Sequence, residues 1–245
     1  MKTLIIIPSR LSATRLPGKP LLKINGLSLI SHVFRRAEKA NIGEVIVATE
    51  DQEIYEDVKK NGGQAILTDN KHQTGTDRIY EALEKIDNSN IDLVMNLQGD
   101  EPLIEVDDIK NLNNRMIENK AQLGTLASEI LNNKFYENKN IVKVITKQTL
   151  NNTNFSEALN FVRKISDQNE NIYHHLGIYC YQKETLKNFV SFNQSKNELK
   201  SKLEQLRALD NNIKINVALS KSSPIGVDTE EDFLAIKKIM EYKSK

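Results

Sequence analysis

Leu4-Ile5-Ile6-Ile7, running straight into Pro8-Ser9-Arg10, decides how the rest of the sequence is read. Four consecutive apolar residues leave no polar face, so a strand here is covered on both sides. The same kind of run returns as Val45-Ile46-Val47, Ala65-Ile66-Leu67 and Leu93-Val94-Met95-Asn96-Leu97. Between the runs, apolar residues take helical spacing. Ile30, Val33, Phe34 and Ala37 stand at i, i+3, i+4 and i+7 behind Ser28, a suitable N-cap. Ile54 and Val58 mark a second helix ended by Gly62-Gly63, and Ile79, Ala82, Leu83 and Ile86 a third. Buried strands alternating with amphipathic helices define an α/β fold with a parallel sheet covered on both faces. Ligands of such sheets bind beyond the carboxyl ends of the strands, which directs attention to residues 8–20, 68–78 and 98–102.

From about residue 120 the rhythm changes. Gly124 to Ile130, Val142 to Thr146, Glu157 to Arg163 and Leu176 to Tyr181 read as strands with little helix between them, and Lys164 to Tyr173 is polar. The chain then returns to α/β with a helix through Leu203, Leu206 and Leu209, a strand from Ile213 to Leu219, and a helix carrying Phe233, Ile236, Ile239 and Met240. The expectation is a single domain over 1–245 with a β-rich excursion at about 124–195. Phe155, Phe161 and Val162 in that excursion are expected on its surface, where a subunit contact would bury them, so a homodimer is expected.

The bulk numbers bound the function. With 245 residues, 27% charged, 39% hydrophobic and a net charge of +1, this is an ordinary globular balance. It supplies no general attraction to nucleic acid or to anionic membrane. Cys180 is the only cysteine, so no intrachain disulfide forms, and a reducing cytoplasmic home is expected. The first apolar run stops at Pro8, too short for a signal peptide, and no stretch has membrane-spanning length.

Four segments carry candidate chemistry. Arg10, Arg15 and Lys19 share the loop after the first strand with Ser9, Ser12, Thr14 and Gly18. Such a loop either grips a polyphosphate by charge-assisted hydrogen bonds or is a solvated basic turn. It lacks the glycine spacing of a Walker A loop. His72-Gln73-Thr74-Gly75-Thr76-Asp77-Arg78 opens a helix. Its amides suit an anion or a base edge; alternatively Thr74 or Thr76 is a cap and Arg78 pairs with a nearby acid. In Asn96-Leu97-Gln98-Gly99-Asp100-Glu101-Pro102 the carboxylate of Asp100, at a strand's end, is a magnesium ligand or a turn cap. In Gly226-Val227-Asp228-Thr229-Glu230-Glu231-Asp232, Thr229 and Asp232 have capping-box spacing, and Asp228 is a helix-start residue or a second metal ligand.

Six segments in order resemble the 3-deoxy-manno-octulosonate cytidylyltransferase family: Arg15-Leu16-Pro17-Gly18-Lys19-Pro20, Gly75-Thr76-Asp77-Arg78, Asn96 to Pro102, His175-Leu176-Gly177-Ile178-Tyr179, Leu203-Glu204-Gln205-Leu206-Arg207 and Gly226-Val227-Asp228-Thr229. The resemblance implies a Rossmann-like nucleotidyltransferase fold (the nucleotide-diphospho-sugar transferase type) with a mixed sheet and a β-rich dimerisation module. It implies transfer of CMP from CTP to an acidic eight-carbon sugar, for lipopolysaccharide precursor synthesis, with Mg²⁺ as cofactor. Arg10, Arg15 and Lys19 would grip the triphosphate, with Asp100 as the remaining catalytic group. Ser12, Thr14, Gly75, Thr76, Arg78 and Gln98 would contact CTP, and Asp100 and Asp228 would hold the metal. Arg163, His175, Tyr179, Glu204 and Gln205 would line the sugar pocket.

The chain departs from the family pattern twice. Ala13-Thr14 stands where Ser-Thr is usual, and Phe161-Val162-Arg163-Lys164-Ile165-Ser166-Asp167 replaces Phe-Ser-Arg-x-x-Ile-Pro, keeping the Arg and losing the Ser and Pro. Two competing readings follow: a cytidylyltransferase for an amino-substituted octulosonate or another acidic sugar, and a non-catalytic nucleotide-binding protein that kept the fold.

Overall fold

The computed structural model describes residues 1–12, 15–72, 74–132, 134–165, 171–223 and 226–242. In chain order the elements are β1 (Thr3–Ser9), a 3₁₀ turn (Lys19–Leu21), β2 (Lys23–Ile24), β3 (Leu27–Ser28), α1 (Leu29–Ala40), β4 (Gly43–Thr49), α2 (Gln52–Lys60), β5 (Ala65–Leu67), α3 (Gly75–Glu84), β6 (Leu93–Asn96) and α4 (Val106–Asn119). There follow β7 (Leu123–Ser128), α5 (Lys134–Glu137), β8 (Lys143–Thr146), β9 (Ser156–Val162), β10 (Ile172–Gln182), α6 (Lys183–Ser191), α7 (Lys196–Ser201), α8 (Gln205–Asp210), β11 (Ile215–Leu219) and α9 (Glu230–Tyr242).

The chain divides into two compact units. The first comprises Lys2–Ile91, Met95–Ile109 and Pro224–Lys245; the second comprises Met1, Asp92–Val94 and Lys110–Ser223. The second unit takes in more than the expected excursion. Strand β11 pairs parallel with β7, from Ile215 opposite Leu123 to Leu219 opposite Ala127, so the late α/β segment joins the second unit. Helices α4 and α6 have no counterpart in the sequence-based expectation.

In the first unit the strand order is β5-β4-β1, followed by β6, whose Met95 and Asn96 belong to this unit and whose Leu93 and Val94 are counted with the second. Strand β1 runs parallel to β4, and β4 to β5. Leu4, Ile5, Ile6 and Ile7 are wholly buried, as an apolar run covered on both faces requires. Ser28 caps α1 by accepting from the Ser31 amide at 3.3 Å, and Asn41 ends it in the left-handed region at φ 50°. A small core of Ile24, Leu29, Val227 and Ile236, flanked by Leu16, Leu103, Phe233 and Met240, fastens α9 to the start of α1. That core fixes where Asp228 lies.

In the second unit the strands follow the order β10-β7-β11-β9-β8, and β10 also pairs with β8, so the row closes on itself. Parallel and antiparallel pairings mix, as expected for a mixed sheet. Phe161 is not a surface residue: it is 1% exposed, with its ring edge-on to His175 at 5.0 Å between centroids. Leu159 is the exposed one, at 56%. The cause is a bulge. Ile145 pairs with Asn160 and Thr146 with Ala158, which leaves Leu159 without a partner on β8 and turns it outward.

Candidate active site

The cleft of the first unit is built on three carboxyl-end segments and on the residues that lead into α9. Beyond β1, Gly18 takes φ 72°, a left-handed conformation, and opens the 3₁₀ turn that carries Lys19. The loop is pinned from both sides. The Gly18 amide donates to Leu11 O at 3.0 Å, and the Leu11 amide donates to Asp51 Oδ2 at 2.7 Å. Beyond β6, a Cβ on Gly99 would lie 3.0 Å from Pro8 O and 3.1 Å from Ile30 Cδ1, a tight fit that glycine relieves where this turn presses against the first loop. From the other end of the chain, the Val227 amide donates to Asp100 O at 2.9 Å and brings Asp228 alongside Asp100.

The resulting cleft, of about 320 Å³, is bordered by Arg10, Arg15, Lys19, Gly75, Arg78, Gln98, Asp100 and Asp228 among the expected residues. Lys19 Nζ lies 2.6 Å from Asp100 Oδ2, 2.8 Å from Val227 O and 3.6 Å from Asp228 Oδ1. Arg15 Nη2 lies 2.9 Å from Asp228 Oδ1. Beside them, burial, and then the charges of Asp100 and Asp228, push the Glu101 carboxyl up to about 8. Two carboxylates that converge on one ammonium are a donor set that suits a hard cation. The structure also separates the two readings of the last segment. Thr229 is the cap of α9: its Oγ1 accepts from the Asp232 amide at 3.2 Å, while Asp232 Oδ2 accepts from the Thr229 amide at 2.8 Å. The Asp228 carboxylate is left facing the cleft.

Some expected contacts are relocated. Thr74, not Thr76, caps α3, accepting from the Asp77 amide at 3.3 Å, and Thr76 is buried at 1% exposure off the cleft. Arg78 takes its ion-pair alternative. It meets Glu50 and donates to Thr68 Oγ1 at 2.6 Å, so its guanidinium braces the cleft wall. Ser12 is exposed and does not border the cleft; Thr14 lies outside the described residues. Two further wall residues, Ser9 of the basic loop and His72 of the segment before α3, were given no contact of their own with CTP. Ser9 is 7% exposed with an Oγ that meets no partner among the described residues, and His72 is held by Glu81. Their positions flanking the basic loop and the Gly-Thr step are the signal that could have found them.

The five expected sugar-side residues all belong to the second unit. His175-Leu176-Gly177-Ile178-Tyr179 spans a register shift of β10 against β7. Thr125 fills the irregularity: its hydroxyl donates to Ile178 O at 2.6 Å and lies within hydrogen-bond distance of His175 Nε2, at 3.0 Å. Burial, and then neighbouring His174, push the His175 ring down to about 3. Tyr179 stacks at a tilt on that ring, 5.4 Å between centroids. Glu204 and Gln205 open α8, which Arg207 anchors through buried Glu198 at 2.6 and 2.9 Å. Arg163 is largely engaged by the backbone, donating to Ser201 O at 2.8 Å, Lys202 O at 2.8 Å and Lys139 O at 3.1 Å. It ties the end of β9 to the link between α7 and α8, which limits its freedom to meet a sugar carboxylate.

A pH dependence follows from His175. Below pH 6.5 the unfolded chain gains a proton there, while the folded ring stays neutral until about 3. Stability therefore falls as pH drops through that window, by about 2 kcal/mol at pH 5. His175→Gln should remove this component, so denaturant unfolding at pH 7.5 and pH 5 should show a smaller drop in the variant. Equal drops would mean the ring accepts a proton in the folded state.

The class comes first from a family model described as cytidylyltransferase, which matches residues 4–215. Two relatives narrow it. A 3-deoxy-manno-octulosonate cytidylyltransferase from Nitrobacter winogradskyi is 42% identical over 241 residues, 98% of this chain and 94% of that protein. One of the same description from Brucella canis is 42% identical over 234 residues, 95% and 93% of the two chains. A solved structure described as CMP:2-keto-3-deoxy-manno-octonic acid synthetase complexed with CTP superposes with a TM-score of 0.90 at 34% identity, covering 99% of this chain and all of its own. The chain belongs to the 3-deoxy-manno-octulosonate cytidylyltransferase family.

Proposed function

We propose that the chain transfers CMP from CTP to the anomeric hydroxyl of 3-deoxy-manno-octulosonate and releases pyrophosphate. The observation that carries this reading is the cleft in which Arg10, Arg15 and Lys19 face the carboxylates of Asp100 and Asp228, in a chain 42% identical to enzymes of that name. The sugar oxygen forms the new bond to the α-phosphorus as the bond to the bridging oxygen breaks. Such a reaction asks the protein for positioning and charge neutralisation more than for covalent help.

The residues divide accordingly. Arg10, Arg15 and Lys19 offset the charge of the triphosphate and of the leaving pyrophosphate. The Gly75 segment offers backbone amides at the start of α3, and the Ser9 hydroxyl is a further donor on the wall. Gln98, whose Nε2 donates to Asn96 Oδ1 at 3.3 Å, presents an amide for the cytosine edge. Asp100 and Asp228 would hold Mg²⁺, and the seating of the Lys19 ammonium on both carboxylates supports that fit. Bound magnesium would neutralise phosphate charge and acidify the attacking hydroxyl. His175, Tyr179, Glu204 and Gln205 serve the sugar. His175 does so as a neutral hydrogen-bonding group, not as a cation.

The test is pyrophosphate release on mixing the protein with CTP, Mg²⁺ and each sugar of a panel holding the octulosonate, its amino-substituted analogue and a nonulosonate. Release with the octulosonate, and much less when UTP replaces CTP, is expected. Release with the amino sugar alone would move the substrate, and none with any sugar would favour the non-catalytic reading. A cytoplasmic homodimer is part of the same proposal. Leu159, turned outward by the β9 bulge, together with half-buried Val162, offers apolar surface to a second copy. Light scattering at micromolar concentration should give twice the 27.9 kDa chain mass; the monomer mass would count against it.

A further inference from the structure

Lys19 is placed differently from the other two loop cations. Arg10 is exposed on the cleft rim, and the Arg15 side chain is 56% exposed. The Lys19 side chain is 14% exposed, and its ammonium rests among three oxygens drawn from distant parts of the chain: Asp100 Oδ2 at 2.6 Å, Val227 O at 2.8 Å and Asp228 Oδ1 at 3.6 Å. Two carboxylates and a carbonyl around one positive charge form the coordination shell of a small cation, and the lysine nitrogen lies inside it. An ammonium on those oxygens opposes the entry of a divalent ion, because like charges at such separations repel.

We propose that Lys19 is the resident cation of the Asp100–Asp228 pair and keeps a divalent ion out until a nucleoside triphosphate draws its ammonium away. The inference rests on the reading of those two carboxylates as the cation-binding pair. A triphosphate offers the ammonium more negative charge than the carboxylates do, and a lysine stem is long and flexible enough to follow it. The Asp100 carboxylate, and that of Asp228 once Arg15 also turns to the phosphates, are then open to the ion that the nucleotide carries. Cation and nucleotide thus enter together: each binds weakly without the other, and each strengthens the other by the same factor. Removing the ammonium should uncouple them. It would leave Asp100 without its ammonium and Asp228 with Arg15 Nη2 at 2.9 Å, a pair whose remaining negative charge a divalent ion relieves.

The experiment uses the full chain freed of metal by chelation and without nucleotide, titrated with Mn²⁺ while free Mn²⁺ is followed by electron paramagnetic resonance. Wild type should bind weakly, and Lys19→Met at least about tenfold more tightly, because a full positive charge has left the shell. The double variant Lys19→Met with Asp100→Asn should lose that gain. Lys19→Gln serves as a second neutral form should the Met variant lose its circular-dichroism signature. Equal affinity of wild type and the neutral variants would overturn the role given to Lys19. A gain that Asp100→Asn leaves intact would instead overturn the cation-binding reading of the carboxylates.

Discussion

Asp228→Ser should fold with nearly unchanged stability and turn over about a hundredfold more slowly or worse, the scale lost when transition-state electrostatics are removed. The structure separates the two effects. The cap of α9 is the reciprocal pair of Thr229 and Asp232, which the substitution does not touch. The docking of α9 comes from Val227 and Ile236 in their small core. What the substitution removes is a carboxylate, 46% exposed, paired with Arg15, itself 56% exposed, and an exposed pair of that kind is worth under about 1 kcal/mol. The measurements are a melting curve and a turnover number on the same preparation. A variant that melts early but keeps its rate per folded molecule would make Asp228 a structural residue. Asp100→Asn is the companion: it removes the carboxylate that Lys19 approaches most closely, and it should abolish turnover.

The largest effect on stability is expected in the second unit. Glu198→Ala should cost about 3–5 kcal/mol, because it strips a buried guanidinium of its carboxylate. Glu198 and Arg207 side chains are 4% and 3% exposed, joined by two hydrogen bonds, with the guanidinium 4.7 Å over the Phe189 ring. Glu198 also closes the capping box of α7, taking the Ser195 amide at 3.1 Å. Glu198→Gln keeps acceptors for part of this network and should cost less. Denaturant midpoints for the two variants would check the order, and a loss under about 1 kcal/mol for the Ala variant would show that the pair is not a strut. Because Arg207 sits two residues after Gln205, the same substitution should loosen the start of α8.

What could be read in the sequence followed how local each determinant is. The runs at Leu4, Val45, Ala65 and Leu93, the Ser28 cap and the Thr229–Asp232 pair depend on neighbours a few positions away, and the structure has all of them. The cleft was legible as a set of segments because the ends of parallel strands meet on one side. Which atom faces which was not. On its own segment Asp228 reads first as a helix cap, but the Thr229 hydroxyl holds that position. Of the contacts that the resemblance implies, Thr76 is buried off the cleft, while Arg78 borders it and is paired with Glu50. In β9 the alternation of inward and outward residues breaks at Leu159, since the extra residue is defined only by its pairing with β8. Sequence periodicity therefore misassigned Phe161. Strand β11 joins the second unit because its partner β7 lies far back along the chain, which no local pattern records.

The hydrogen bond from Val227 to Asp100 gives the cleft an unusual tolerance. Lys19 and Val227 are 208 positions apart, and Lys19 and Asp100 are 81 apart, so the groups that meet there are joined by long stretches of intervening chain. The entropy of closing such a loop grows only with the logarithm of its length, and doubling it costs about 0.6 kcal/mol. A change in the number of residues between Lys110 and Ser223 therefore alters that entropy by little. The unconventional Phe161-Val162-Arg163-Lys164 stretch lies inside that span. The contact between the two carboxylate segments is set by their own few hydrogen bonds and by the Val227 core.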